Sequence, residues 1–140
     1  HPFINTSHRF FGYFGRNKLI QEYSAVTAAC LVVKKEIYIE VGGFDEEHLA
    51  IAYNDVDFCL KIKKAGYRNV WTPYAELFHY ESSTRGYEDT PEKLNRLREE
   101  TNYMMNKWSE IIYNDPAYSP NLSLISADFS LAWPPRTEKY

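Results

Sequence analysis

Cysteine is scarce. Two in 140 residues cannot make the disulfide framework of a small secreted domain, and Cys30 and Cys59, both set among apolar neighbours, read as free, buried thiols of a reducing compartment. Long apolar runs are missing as well. None approaches the roughly 20 residues that span a bilayer, and the opening residues lack the pattern of a signal peptide, so a soluble, cytoplasmic protein is expected. Excess charge of either sign is also absent: 16 Lys and Arg against 19 Asp and Glu leave a net charge of -3. Neither a basic face for nucleic acid nor an acidic disordered tail is implied, and no internal repeat or low-complexity block occurs.

Aromatic residues, in contrast, abound. Twelve Tyr, eight Phe and three Trp exceed what a minimal core needs and point to stacking surfaces for flat ligands. The segment RFFGYFGRNK, residues 9–18, mixes aromatics with cations and suits peripheral contact with an anionic membrane surface. The length fits one domain burying roughly two thirds of its unfolded surface. The chain opens on His-Pro-Phe, as a piece of a longer protein would.

Periodicity places the elements. Residues 1–24 read as loop with one short helix, and the small and β-branched run at 26–33 reads as a buried strand. A short helix over KEIYIEV follows and stops at Gly42-Gly43. A second helix runs from about Asp55 to Ala65, with lysines near its C-terminal end and Gly66 beyond it. YRNVWTPYAELFHY reads as two short strands around the Thr72-Pro73 turn, the second closing on His79. Thr90-Pro91-Glu92 then starts a helix that carries an apolar stripe through Leu94, Leu97, Thr101, Met104, Trp108 and Ile111 for about 20 residues. The tail, 113–140, is proline-rich and is expected to lie extended along the surface of a domain formed by 1–112. The class is α/β: a short mixed sheet flanked by helices, a long C-terminal amphipathic helix and an extended tail.

Three residues stand out chemically. Asp55 and Asp57 open one helix and His79 closes a strand, and such ends converge at the carboxyl edge of open α/β sheets. Carboxylates with imidazole suit a divalent metal or a proton relay; equally, an Asp at a helix start caps it and a strand-end His bonds to backbone. The loop HYESSTRG offers Glu81, Ser83 and Arg85, which fit a phosphate or sugar or simply solvent. Gly42-Gly43-Phe44-Asp45 makes a tight turn, and Trp71 is either a sugar-stacking platform or core.

Read in order, the small-residue run, Gly-Gly-Phe-Asp, Asn-Asp-x-Asp, Ala-Gly-Tyr, Trp-Thr-Pro-Tyr-Ala and His-x-Glu-Ser-x-x-Arg-Gly between Ala25 and Gly86 resemble the C-terminal half of bacterial family 2 glycosyltransferases. The tail resembles the extension of members that build O-antigen and other surface polysaccharides. The resemblance implies a partial GT-A (Rossmann-like) domain, the acceptor-side half of an enzyme that uses a nucleotide-sugar donor, a glycan acceptor and a Mn or Mg ion, with inversion at the anomeric carbon. It implies Asp55 as general base and His79 as metal ligand, with Glu81, Ser83 and Arg85 near the donor diphosphate. Asn54, Asp57 and Trp71 would support the helix start or the acceptor. Two departures accompany it: Asn54 stands where many relatives have Glu, and the donor-binding half with its Asp-x-Asp is not in the chain. An isolated chain without turnover, prone to self-association through an unpaired sheet edge, is the expected consequence. The alternative is a non-catalytic carbohydrate-binding or assembly module that kept the fold.

Overall fold

In the computed structural model, residues 7, 9–78, 90–126 and 128–136 are described. They form a mixed α/β arrangement: a 3-10 helix at Tyr13–Lys18, strand β1 (Gln21–Tyr23), a 3-10 turn at Ala28–Cys30, and helices α1 (Lys35–Glu40) and α2 (Asn54–Lys64). Strand β2 (Asn69–Trp71) and the long helix α3 (Pro91–Tyr113) follow.

Helix α2 forms where apolar spacing and end chemistry agree. Phe58, Cys59, Leu60 and Ile62 are buried, and Lys61, Lys63 and Lys64 occupy the last turn, where cations complement the helix dipole. Gly66, at φ 89°, takes the left-handed turn that lets the Tyr67 amide return to Ile62 O at 3.2 Å. Helix α3 starts as its sequence dictates: the Thr90 hydroxyl accepts the Lys93 amide at 3.4 Å and Pro91 sits in the first turn. Near its end Trp108 leaves helical geometry, with φ -128° and ψ 22°.

The two helices meet around Leu49, Leu60 and Met104, with Val56, Tyr103, Trp108 and Ile111 packed against them. A second apolar cluster joins α1 to α2 through the rings of Tyr38, Phe44 and Phe58, whose centroids lie 4.9–5.8 Å apart. Gly43 is required there, because its φ is +61° and an added Cβ would meet the Tyr38 ring at 2.8 Å.

Strands β1 and β2 pair antiparallel, with Gln21 opposite Trp71 and Tyr23 opposite Asn69. The buried Asn69 amide donates to Ser24 O at 3.0 Å and to Cys59 O at 2.9 Å, fastening this ribbon to α2. The tail returns rather than trailing. Leu122 bridges Leu131, and Leu122, Phe129 and Ala132 are buried. Phe129 stacks on Tyr13 at 4.8 Å, and Asp115 accepts the Ser24 hydroxyl.

Several expectations are corrected. Residues 26–33 are not a strand: Ala28 N–H donates to Asp55 Oδ2 at 3.1 Å and Val26 N–H to Cys59 Sγ at 3.5 Å, both on α2, while Thr27 caps the 3-10 turn by accepting the Ala29 amide at 3.3 Å. The 3-10 turn that replaces the strand leaves Cys30 exposed, whereas Cys59 is buried. Of the two strands expected around Thr72-Pro73, the first forms; residues 75–78 are exposed and not in a strand, where the Thr72 hydroxyl accepts the Tyr74 amide at 3.3 Å and Pro73 has no N–H to give a ladder, and the end of the second, at His79, lies outside the described residues. Among the described residues the sheet is a two-stranded antiparallel ribbon, not mixed. The tail expected to lie extended along the surface instead contributes buried side chains.

Candidate active site

The chain enters α2 through a strained residue. Tyr53, the residue before the first helical turn, has φ 61° and ψ 3°, and no side chain caps the helix. Left-handed geometry at a tyrosine is costly and persists only where surroundings enforce it. Here α3 does so. Glu100, 3 % exposed, accepts the Ile51 amide at 3.1 Å through Oε1 and the Ala52 amide at 2.8 Å through Oε2. The Tyr53 hydroxyl lies 3.2 Å from Thr101 Oγ1.

The two aspartates beyond that entrance have separate fates. Asp55 is half-buried; besides Ala28 N–H, it accepts the Val56 amide at 2.8 Å on Oδ1. A carboxylate has about four lone-pair sites, so capacity remains for another donor. Asp57 is fully buried. Its Oδ1 accepts Trp108 Nε1–H at 2.7 Å and pairs with Lys107 Nζ at 2.8 Å, while Oδ2 lies 3.3 Å from Lys61 Nζ. It therefore braces α2 against α3 and, as an acid in the first turn, favours the helix start through the dipole.

Around Lys107 the network continues outward. Lys107 Nζ lies 3.4 Å from Asp45 Oδ2, and Tyr103 donates its hydroxyl to the same oxygen at 2.7 Å. His48 stacks on Tyr103 at 4.5 Å and approaches Asp45 at 3.1 Å. Burial raises the Asp45 carboxyl, but hydrogen bonds from Tyr103, His48 and Lys107 outweigh it and hold the group well below the ordinary carboxylate range. Burial likewise lowers Lys107, yet Asp57 and Tyr103 keep its ammonium above the usual lysine value. Cys59 is raised by burial, with the Asp55 charge adding to it, which makes it a packing thiol.

Asn54 is half-buried in the first turn of α2 beside Asp55. Trp71, on β2, packs edge-on to Tyr23 at 6.4 Å. His79, Glu81, Ser83 and Arg85 lie outside the described residues. Among the described residues no three His, Cys, Asp or Glu side chains form a metal-holding group, and no helix is long and apolar enough to cross a membrane. Glu100, Lys107 and Trp108 were missed from the sequence. Glu100 carried a signal: a charge on the stripe that runs from Leu97 to Met104 cannot be solvated there without a partner.

The chain is 58% identical over 123 residues to the uncharacterized protein y4gI of Sinorhizobium fredii, a match spanning 88% of this chain and 14% of that protein. It is 30% identical over 125 residues to the O-antigen biosynthesis protein RfbC of Myxococcus xanthus, covering 84% of this chain and 9% of that one. Over 61 residues, 44% of this chain, it is 34% identical to the N-acetylglucosaminyl-diphospho-decaprenol L-rhamnosyltransferase of Mycobacterium tuberculosis, of which the match covers 20%. Its distant relatives thus include a sugar transferase. The chain spans only a small part of each. No protein-family model and no solved structure matches it.

Proposed function

We propose that this chain is the acceptor-side half of a family 2, GT-A glycosyltransferase, part of a longer enzyme that moves a sugar from a nucleotide donor onto a growing surface glycan of O-antigen or capsule type. The observation that carries the reading is the division between two carboxylates in one helical turn: Asp57 is sealed by Trp108 and Lys107, while Asp55 stays half-buried at the helix entrance with spare acceptor capacity. A match at 30% identity over 84% of the chain to a protein of O-antigen biosynthesis supports the same class.

In this reading Asp55 removes the proton of the acceptor hydroxyl as its oxygen attacks the anomeric carbon. The bond from that carbon to the donor diphosphate breaks, its electron pair leaves with the diphosphate, and configuration inverts. The half-buried carboxylate is held at the first turn of α2 by the Ala28 amide, so it meets the hydroxyl in a fixed orientation. A Mn or Mg ion, with His79 as its ligand from this half, would supply charge neutralisation on the leaving side; Glu81, Ser83 and Arg85 would face the same diphosphate, with Asn54 and Trp71 toward the acceptor. Peripheral attachment at the inner membrane through residues 9–18 belongs to the same proposal.

The test is nucleoside diphosphate release by the complete polypeptide, supplied with UDP-, GDP- and dTDP-sugars and Mn. Asp55→Asn should lower turnover about a hundred- to ten-thousand-fold while calorimetric donor binding stays near wild type. Retained turnover in Asp55→Asn would remove Asp55 from the base role, and donor binding without diphosphate release by the wild-type polypeptide would favour a binding module.

A further inference from the structure

We infer that Glu100 is a positioning residue for Asp55: from α3 it grips two consecutive backbone amides, Ile51 and Ala52, and so forces the left-handed turn at Tyr53 that aims the first turn of α2. This rests on the reading of Asp55 as the base.

A buried carboxylate that accepts two neighbouring amides fixes the peptide plane between them, and here the bonds, at 3.1 and 2.8 Å, cross 49 and 48 residues of sequence. The next residue then has little choice. Tyr53 adopts φ 61°, a conformation that non-glycine residues avoid unless surroundings impose it, and its N-cap place supplies no side-chain bond of its own. The Arg96 guanidinium, 3.9 Å from Glu100 Oε1, and Thr101 beside the Tyr53 hydroxyl also come from α3. Hence the entrance to α2 is set by tertiary contacts, and the second residue of that helix is Asp55. Displacing a reacting group by about 1 Å can cost about a hundred-fold in rate.

The decisive variant is Glu100→Gln, which keeps size but replaces one acceptor oxygen with an NH2 that cannot accept an amide. In this chain, NMR should show one of the Ile51 and Ala52 amide protons losing hydrogen-exchange protection and the Asp55 amide resonance moving. In the complete polypeptide, kcat for diphosphate release should fall about ten- to a hundred-fold with the KM for the nucleotide sugar unchanged, because the donor does not touch the base. Adding Tyr53→Gly, which makes the positive φ costless, should recover part of the kcat. An unmoved Asp55 resonance, an unchanged kcat, or a double variant no faster than Glu100→Gln would each overturn the assignment. Should Glu100→Gln fail to fold, Glu100→Asp is read by the same criteria. Turnover retained in Asp55→Asn sinks the base role instead, and the amide readout still decides whether Glu100 sets the turn.

Discussion

Asp55 and Asp57 carry the same side chain two positions apart, and only their surroundings tell them apart. Asp57 loses all exposure because Trp108 and Lys107 come to it from α3; Asp55 keeps partial exposure because its partners are the backbone amides of Ala28 and Val56. A second residue-scale consequence concerns Asp45. Its carboxyl is held below the ordinary value, so the stability it contributes is fully present above the unfolded value of about 4 and is lost as pH falls through the lower folded value. Asp45→Asn should therefore flatten the acid limb of urea-denaturation stability below about pH 4, and an unaltered limb would count against this network. At Gly43, both the positive φ and the Tyr38 ring oppose a methyl. Gly43→Ala should cost about 1–3 kcal/mol, read as a lower thermal midpoint with unchanged far-ultraviolet dichroism. The Gly-Gly turn was legible from its letters; the separation of the two aspartates was not, since sequence spacing marks a helix start but says nothing about which side chains arrive from about 50 residues away.

At the scale of elements, α3 is the brace. Its stripe of Leu97, Met104, Trp108 and Ile111 was readable at helical spacing, and so were its Thr90-Pro91 start and the Gly66 stop of α2, because caps and periodicity are local signals. The strand expected at 26–33 gives way partly to nonlocal partners, since Asp55 and Cys59 take the Ala28 and Val26 amides, and partly to the Thr27 cap on Ala29; β propensity yields to such context. Trp108, where the helix departs from regular geometry, gives up helical dihedrals while its indole N–H reaches the buried Asp57. Trp108→Phe keeps an aromatic body but leaves one fewer donor on a sealed carboxylate. It should destabilise the fold by about 1–3 kcal/mol in urea titrations; a loss within error of zero would show that Lys107 and Lys61 suffice.

At the scale of the whole molecule, several large apolar side chains among the described residues stand open to solvent. Val32, Phe78 and Trp133 are each more than nine-tenths exposed, and Phe14 nearly so, whereas soluble monomers seldom leave many large apolar groups open. The proposed reading explains this as surface that other parts of a longer enzyme would cover, in keeping with relatives of which this chain matches 14% and 9%. Alone, the chain should self-associate, and light scattering that gives one monomeric mass across a wide concentration range would oppose that. The α/β character and the long helix were visible in the letters, but the returning tail was not, because Tyr13 stacking on Phe129 is a contact between ends with no periodic signature.

The most direct measurement is a crystal structure of the complete polypeptide with a nucleotide-sugar analogue and an acceptor glycan. The account predicts an Asp55 carboxylate oxygen about 2.6–3.2 Å from the acceptor hydroxyl, with the His79 imidazole opening onto the same hollow. An Asp55 sealed away from the acceptor, or facing a surface opposite His79, would contradict it.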